Sequence, residues 1–193
     1  MNIINKIKKE VINRSNKFQE LTKDIKEEYN LYEQHIKYVY NNVIQLSKNK
    51  NVDIEVLQLS ALLHDISMTD KKLDRSKHNE YSALIAEELL NQYNYDNNKI
   101  QLIKKCILNH SSIRKEYRTT LEEQILVDAD SLSHFDNYKS IYSFALNVMN
   151  LSKEESLQYL KDKLTKDYNE ISKEVKLIIK DKYNYIMNLK EIN

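Results

Sequence analysis

Four of the five histidines in the sequence fall on the apolar face of a predicted helix, where their side chains would be buried. Residues on one helical face are three, four or seven positions apart, and the apolar neighbours of these histidines keep that spacing. Leu31 and Val39, for example, lie four residues before and four residues after His35. The four inward histidines are His35, His64, His78 and His110.

Two aspartates accompany these histidines. Asp65 is adjacent to His64, and Asp130 follows Leu126 and Val127 on another apolar face. A single inward histidine is usually a hydrogen-bonded core residue, but an inward carboxylate without an arginine nearby would be an unpaired buried charge. A metal ion would resolve this problem, because it supplies both positive charge and ligand bonds. Spacing alone therefore leaves two interpretations open, a metal site in a helical bundle or a core of hydrogen-bonded histidines.

Two further residues of reactive type carry weaker signals. His134 lies four residues after Asp130 and could flank the same site, but we expect its side chain to be exposed. Cys106 lies one helical turn before His110, and we expect it to pack in the core. A single cysteine cannot form an internal disulfide, which favours a cytoplasmic location.

The composition disfavours several enzyme classes. The 193 residues include no glycine and no proline, so the chain lacks the glycine-rich phosphate loops and the nucleophile elbow of Rossmann, P-loop and α/β-hydrolase proteins. Without proline, the strongest helix breaker, we expect helices to dominate. Without glycine, asparagine or aspartate must supply any positive φ angle. The net charge of +1 gives no argument for nucleic acid, and no apolar run is long enough to span a membrane or form a signal peptide.

The periodicity predicts an all-α, single-domain helical bundle over residues 1–193. Its core would cover residues 24–150, and residues 151–193 would form a C-terminal helical extension packed on that core. Candidate helix caps are Asp53, Ser76 and either Thr119 or Thr120. The predicted helices cover residues 3–21, 24–47, 53–65, 76–93, a stretch ending near 110, one starting near 120, 137–150, and two more before the C-terminus.

The stretch Leu59-Ser60-Ala61-Leu62-Leu63-His64-Asp65-Ile66 resembles the signature of the HD superfamily of metal-dependent phosphohydrolases. The full family pattern is a His, then His-Asp, then a distant Asp. Here those positions would be His35, His64-Asp65 and, by its Ala-Asp-x-Leu context, Asp130, with Asp128 as the second choice. The segments that begin at His78 and end in His110-Ser111 are similar to two further family elements.

This resemblance implies a set of site residues. His35, His64, Asp65 and Asp130 would bind one divalent ion, drawn from Mn, Fe, Co, Ni, Zn or Mg, and imidazole ligands favour the transition metals. His78 and His110 would bind a second ion with Asp65 as the bridge, or else contact the phosphate or protonate the leaving oxygen. Asp65, His78 and His110 are thus the catalytic candidates. The candidate phosphate-binding cations are Arg75, Lys77 and Arg114.

The function implied by the resemblance is hydrolysis of a small phosphate ester, with a nucleotide as the leading substrate class. The alternative is a non-catalytic metal- or nucleotide-binding sensor or regulatory module on the same fold, and a third is a helical interaction protein with hydrogen-bonded histidines. We expect a monomer or homodimer that binds neither duplex nucleic acid nor a membrane. The chain departs from many relatives after Asp130, where it has no glycine, and it cannot carry the Gly-Tyr-Pro signature of the cyclic-dinucleotide branch.

Overall fold

Short polar side chains set the helix ends in this chain, as its lack of glycine and proline requires. The Asp53 carboxylate accepts hydrogen bonds from the backbone N–H groups of Glu55 and Val56, and Thr120 forms a reciprocal capping box with Glu123. Within the described residues, every positive φ belongs to an asparagine that lies three residues past a helix end. These asparagines are Asn49 (61°), Asn94 (50°) and Asn150 (56°).

The structure is a computed structural model that describes residues 2–21 and 30–192. Within these ranges the regular structure is entirely helical and includes no strand, which confirms the all-α prediction. The α-helices are α1 (Ile3–Leu21), α2 (Lys37–Leu46), α3 (Ile54–Leu63), α4 (His78–Asn91), α5 (Asn97–Asn109), α6 (Leu121–Asp136), α7 (Tyr138–Asn147), α8 (Lys153–Glu170) and α9 (Lys173–Met187). A π-helical turn over Tyr32–Ile36 leads into α2, and 3₁₀ turns cover Ile66–Thr69, Arg75–Lys77 and Ser112–Tyr117.

Two hydrophobic cores hold these helices together, and α6 contributes to both. Leu126 and Ala129 of α6 belong to the core that helices α1 to α5 share. Phe135, near the other end of α6, belongs to the core that α7, α8 and α9 share, where Leu160 and Ile179 are buried with it. Asp130 and His134 therefore lie where α6 passes from one core to the other.

Two local predictions differ from the structure. The predicted helix over 24–47 starts outside the described residues, and the part that is described begins with the π-helical turn, which the sequence did not indicate. The prediction that Ser76 caps the fourth helix is wrong. Asp74 accepts the Ser76 backbone N–H and caps a 3₁₀ turn, so α4 begins two residues later at His78.

Across the described ranges, none of the helices combines the length and the apolar character that crossing a bilayer requires.

Candidate metal centre

His64 and Asp65 reach the centre of the site because α3 ends between them. His64 is the last residue with helical backbone angles, and Asp65 (φ −117°, ψ 16°) turns the chain out of the helix. The His64 ring is fully buried, and its Nδ1 lies 2.9 Å from the Ala61 carbonyl oxygen. Two adjacent residues can therefore direct their side chains toward the same point.

His35 meets this pair from the π-helical turn before α2. Its Nε2 lies 3.0 Å from Nε2 of His64, 3.3 Å from Oδ1 of Asp130 and 3.5 Å from Oδ2 of Asp65. Its Nδ1 lies 3.1 Å from Oγ of Ser133, whose hydroxyl donates to the Asp130 carbonyl oxygen at 2.6 Å. Single π-helical turns of this kind are frequent at functional sites.

His78 and His110 form a second half of the cluster on the other side of Asp65. His78 is the first residue of α4, His110 follows α5, and their Nε2 atoms are 3.2 Å apart. Oδ1 of Asp65 lies 3.6 Å from Nε2 of His78 and 3.7 Å from Nε2 of His110. Oδ2 of the same carboxylate faces His35 and His64, so Asp65 lies between the two halves.

The hydrogen bonds of the four rings place a proton on each Nδ1. Nδ1 faces the Arg75 carbonyl in His78 and the Ile107 carbonyl in His110, at 3.0 and 2.6 Å. In His35, Nδ1 donates to Oγ of Ser133, because that hydroxyl directs its own proton to the Asp130 carbonyl oxygen. With His64 bonded to Ala61, all four Nδ1 atoms are donors, so in each neutral ring the Nε2 lone pair faces the cluster.

Converging Nε2 atoms repel each other unless a proton or a metal ion lies between them. The Nε2 atoms of His35 and His64 are 3.0 Å apart with a proton already on each Nδ1, and the buried Oδ1 of Asp65 has no hydrogen-bond partner. These observations fit a divalent ion, whose ligands are neutral imidazole nitrogens and carboxylate oxygens with the other ring nitrogen held by an acceptor.

The electrostatics of the cluster also favour a bound cation. Burial lowers the pKa of His35, but hydrogen bonds to Asp130 and Asp65 outweigh it and raise that pKa to about 9. Burial lowers the pKa of His110 to about 4. Burial also opposes ionisation of Asp65 and Asp130, yet the surrounding imidazoles hold both pKa values far below the usual range. The cluster thus keeps two buried carboxylates charged and draws in positive charge.

The structure separates the two candidates for the distal aspartate. Two positions along a helix are about 200° apart around its axis, so Asp128 and Asp130 face opposite sides of α6. Asp128 accepts from the backbone N–H of Ser172 at 2.7 Å and from the side chain of Gln124 at 2.9 Å, and its burial raises its pKa. Asp130 lies in the histidine cluster, and Asp128 joins α6 to the start of α9.

The expectation that His134 would be exposed is wrong. Its side chain is 18% exposed, and its ring stacks on that of His35 with centroids 5.2 Å apart. Its Nδ1 lies 3.0 Å from Oδ2 of Asp167, a residue of α8 that sequence reasoning missed. The spacing of four residues from Asp130 was the available signal, but no sequence pattern indicated the contact with Asp167.

A cavity of about 450 Å³ opens beside the cluster. His35, Asp65, Ser133 and His134 line one end of it, and Arg75 and Lys163 contribute cationic side chains. Lys163 was not predicted. The remaining wall is largely apolar and includes Phe18, Met68, Ile141, Phe144, Val148 and Tyr159.

The other two predicted phosphate-binding cations lie elsewhere. Lys77 is exposed on the 3₁₀ turn and does not line the cavity. Arg114 donates from Nε to Oδ1 of Asn109 at 3.0 Å and packs over the Tyr117 ring, so its guanidinium is also outside the cavity wall. Cys106 is buried as expected, and burial raises the pKa of its thiol to about 12, which leaves it unreactive.

Comparison with known proteins gives one family and two relatives. The HD domain model matches residues 32–134, just over half of the chain. An uncharacterized protein of Clostridium beijerinckii is 30% identical over 91 residues, which are 47% of this chain and 55% of that protein. The chain therefore spans little more than half the length of this curated relative.

The fold is similar to the crystal structure of a predicted HD superfamily hydrolase from an uncultured Thermotogales bacterium. The TM-score is 0.51 at 19% sequence identity, and the match covers 89% of this chain and 91% of the other. At this identity the similarity concerns the fold, which extends beyond residues 32–134 to the C-terminal helices.

Proposed function

The chain belongs to the HD domain family, and from this premise we propose that it is a metal-dependent phosphohydrolase that acts on a small phosphate ester. The observation that carries the proposal is the convergence of four Nε2 atoms and two carboxylates in one cluster, whose His35 and Asp65 line a cavity. The most direct ligand set for a first ion is His35, His64, Asp65 and Asp130.

A divalent ion bound there supplies positive charge to the phosphate ester and makes a nearby water more acidic. The four ligands come from the turn before α2, the end of α3 and the middle of α6, and the acceptors on Nδ1 hold the His35 and His64 imidazoles in the ligating tautomer. Burial around His64, which is fully enclosed, keeps competing water away from that side of the site.

Asp65, His78 and His110 give the site room for a second ion. Oδ1 of Asp65 faces both Nε2 atoms while its Oδ2 faces the first ligand set, so the carboxylate can serve both positions. We propose one firmly held ion and a weaker second position. In a site with a single ion, His78, whose side chain is 26% exposed, is the member of the pair that a leaving oxygen can reach.

The cavity supports a substrate with a charged end and an apolar or planar end. Its charged end carries Asp65, His35, His134 and Arg75, where a phosphate would lie. Its apolar wall, with Ile141, Phe144 and Tyr159, would accept a ring by stacking and van der Waals contact. A nucleotide has both a charged end and a planar end, and it is the first substrate class to test. The single buried cysteine favours a cytoplasmic location for this activity.

The test is metal content by mass spectrometry on protein purified without chelator, beside a His64→Ala/Asp65→Ala double variant. We expect close to one transition-metal ion per chain, lost in the variant, and a ratio near two if the second position fills. Asp162→Asn, on the exposed face of α8, is the matched control and retains the metal. No metal in the wild type, even after soaking with Mn, Fe, Co and Ni, would contradict the proposal.

The activity is then measured as phosphate release from a panel of nucleoside phosphates and simpler phosphate esters with Mn²⁺. We expect turnover of at least one nucleotide by the wild type and none by the double variant. Metal-loaded protein that turned over no member of the panel would favour the non-catalytic sensor module instead.

A further inference from the structure

His134 is placed toward the cluster in the same way as the four histidines already described. It follows Asp130 by one helical turn of α6, its ring is nearly parallel to that of His35 (11°), and its Nε2 lies 3.9 Å from Oδ1 of Asp130. One ligand atom from each of His35, Asp130 and His134 lies within 4.8 Å of the other two. These three atoms are close enough to share one ion.

Asp167 and Lys163 of α8 both contact Nδ1 of His134. Oδ2 of Asp167 lies 3.0 Å from this nitrogen, and Nζ of Lys163, one turn earlier on α8, lies 3.2 Å from it and donates to both oxygens of Asp167 at 2.7 and 2.8 Å. With Nδ1 donating to Asp167, the shorter of its two contacts, the Nε2 lone pair of His134 faces Asp130.

A carboxylate that holds the far nitrogen of an imidazole is a common second partner of metal-ligating histidine, because it fixes the tautomer and increases the basicity of the ligand. Asp167 is mostly buried, and its carboxylate contacts both His134 and the Lys163 ammonium. An ion pair that only joined α6 to α8 would not require Nε2 of His134 to face the cluster.

We propose that His134, oriented by Asp167, is an additional ligand of the ion that His35 and Asp130 bind. The inference rests on the proposed function, since it concerns the same ion. Asp167 and Lys163 lie beyond residues 32–134, so the C-terminal helices take part in the metal centre as well as in the cavity wall. Their role toward the ion is to position His134.

The test is a Co²⁺ titration of metal-depleted protein, followed by visible absorption and by competition with a chromophoric chelator. The variants are His134→Phe, which keeps a ring to stack on His35, and Asp167→Asn, which removes the charge behind the imidazole. Asp162→Asn, on the same helix and bonded to Gln158, is the control. Circular dichroism confirms that each variant is folded.

We expect Co²⁺ affinity to fall by roughly 10- to 100-fold in both variants, the range seen when the outer partners of a ligand are removed. The Co²⁺ absorption bands should shift in His134→Phe, because a nitrogen ligand is lost. Both readouts should stay unchanged in Asp162→Asn.

Two results would overturn the inference, and they have different consequences for the proposed function. If the wild type binds Co²⁺, His64→Gln does not, and His134→Phe keeps the wild-type affinity and spectrum, His134 is not a ligand and the proposed function stands. If the wild type binds no Co²⁺, both proposals fail.

Discussion

The Nε2 atoms of His35 and His64 lie 3.0 Å apart, while Oγ of Ser133 and the Ala61 carbonyl hold a proton on each Nδ1 atom. If both rings are neutral, two lone pairs repel each other at that distance in the low-dielectric interior, so the contact requires a proton or a metal ion between the nitrogens. The native fold therefore maintains a contact that a bound cation makes favourable.

Metal removal should lower the thermal stability of the wild-type protein. An ion that binds only the folded chain adds about 2.7 kcal/mol when its free concentration is 100 times its dissociation constant. We expect the Tm to fall by several degrees after chelation and to recover with added Mn²⁺. In a His64→Gln variant the Tm should not respond to either treatment, and an equal response in both proteins would contradict a site at His64.

Asp130 and Asp128 should give opposite phenotypes. Asp130→Asn is expected to bind metal at least tenfold more weakly, because it removes a charged ligand, and its unfolding free energy should fall by the part that the bound ion contributes. Asp128→Ala is expected to keep the metal and lose about 1–3 kcal/mol, since the Ser172 N–H would lose its acceptor. Metal analysis and urea unfolding of both variants check this, and metal loss in Asp128→Ala alone would make Asp128 the distal ligand.

Glu123 should contribute to the acid stability of the fold. The fully buried carboxylate accepts from Asn109, Thr119 and Thr120, and these hydrogen bonds lower its pKa from 4.5 although burial raises it. A lowered folded-state pKa stabilises the protein above the unfolded pKa, and the contribution is lost as pH falls below about 4.5. We expect Glu123→Gln to lose roughly 1.5–3 kcal/mol at pH 7.

The pH dependence separates this effect from a packing defect. Between pH 7 and pH 3, the free energy of unfolding should fall less steeply in Glu123→Gln than in the wild type. Glu116→Gln, at an exposed position, is the control and should follow the wild-type curve. Parallel curves for the wild type and Glu123→Gln would contradict the assignment.

The apolar wall of the cavity should set substrate size. Ile141→Trp adds a ring to the wall and should reduce kcat/KM for a nucleotide substrate by about tenfold or more, the effect of a few lost apolar contacts. Turnover of a phosphate ester with a small alcohol should change little, because Asp65 and Arg75 are unaltered. Steady-state kinetics on both substrates provide the measurement, with exposed Leu177→Trp as the control. An equal loss of kcat/KM on both substrates would mean that the nucleoside part does not bind against the Ile141 wall of the cavity.

Local sequence patterns were sufficient to predict the helical class, most helix starts and the inward direction of four histidines. The absence of glycine and proline, the caps at Asp53 and Thr120, and apolar spacing are properties of short segments, and short-range backbone physics decides them. The same spacing marked Asp65 and Asp130 as residues that would need a positive partner.

Only the tertiary structure decided how those residues combine. Asp128 and Asp130 are the same residue type on the same helix, and the difference between them depends on what packs against each side of α6. The orientation of His134 depends on Asp167, which is 33 residues away on α8, and Arg75 and Lys163 reach one cavity from distant parts of the chain. Contacts between elements far apart in sequence leave no periodic signal, because their geometry arises from packing of the two cores.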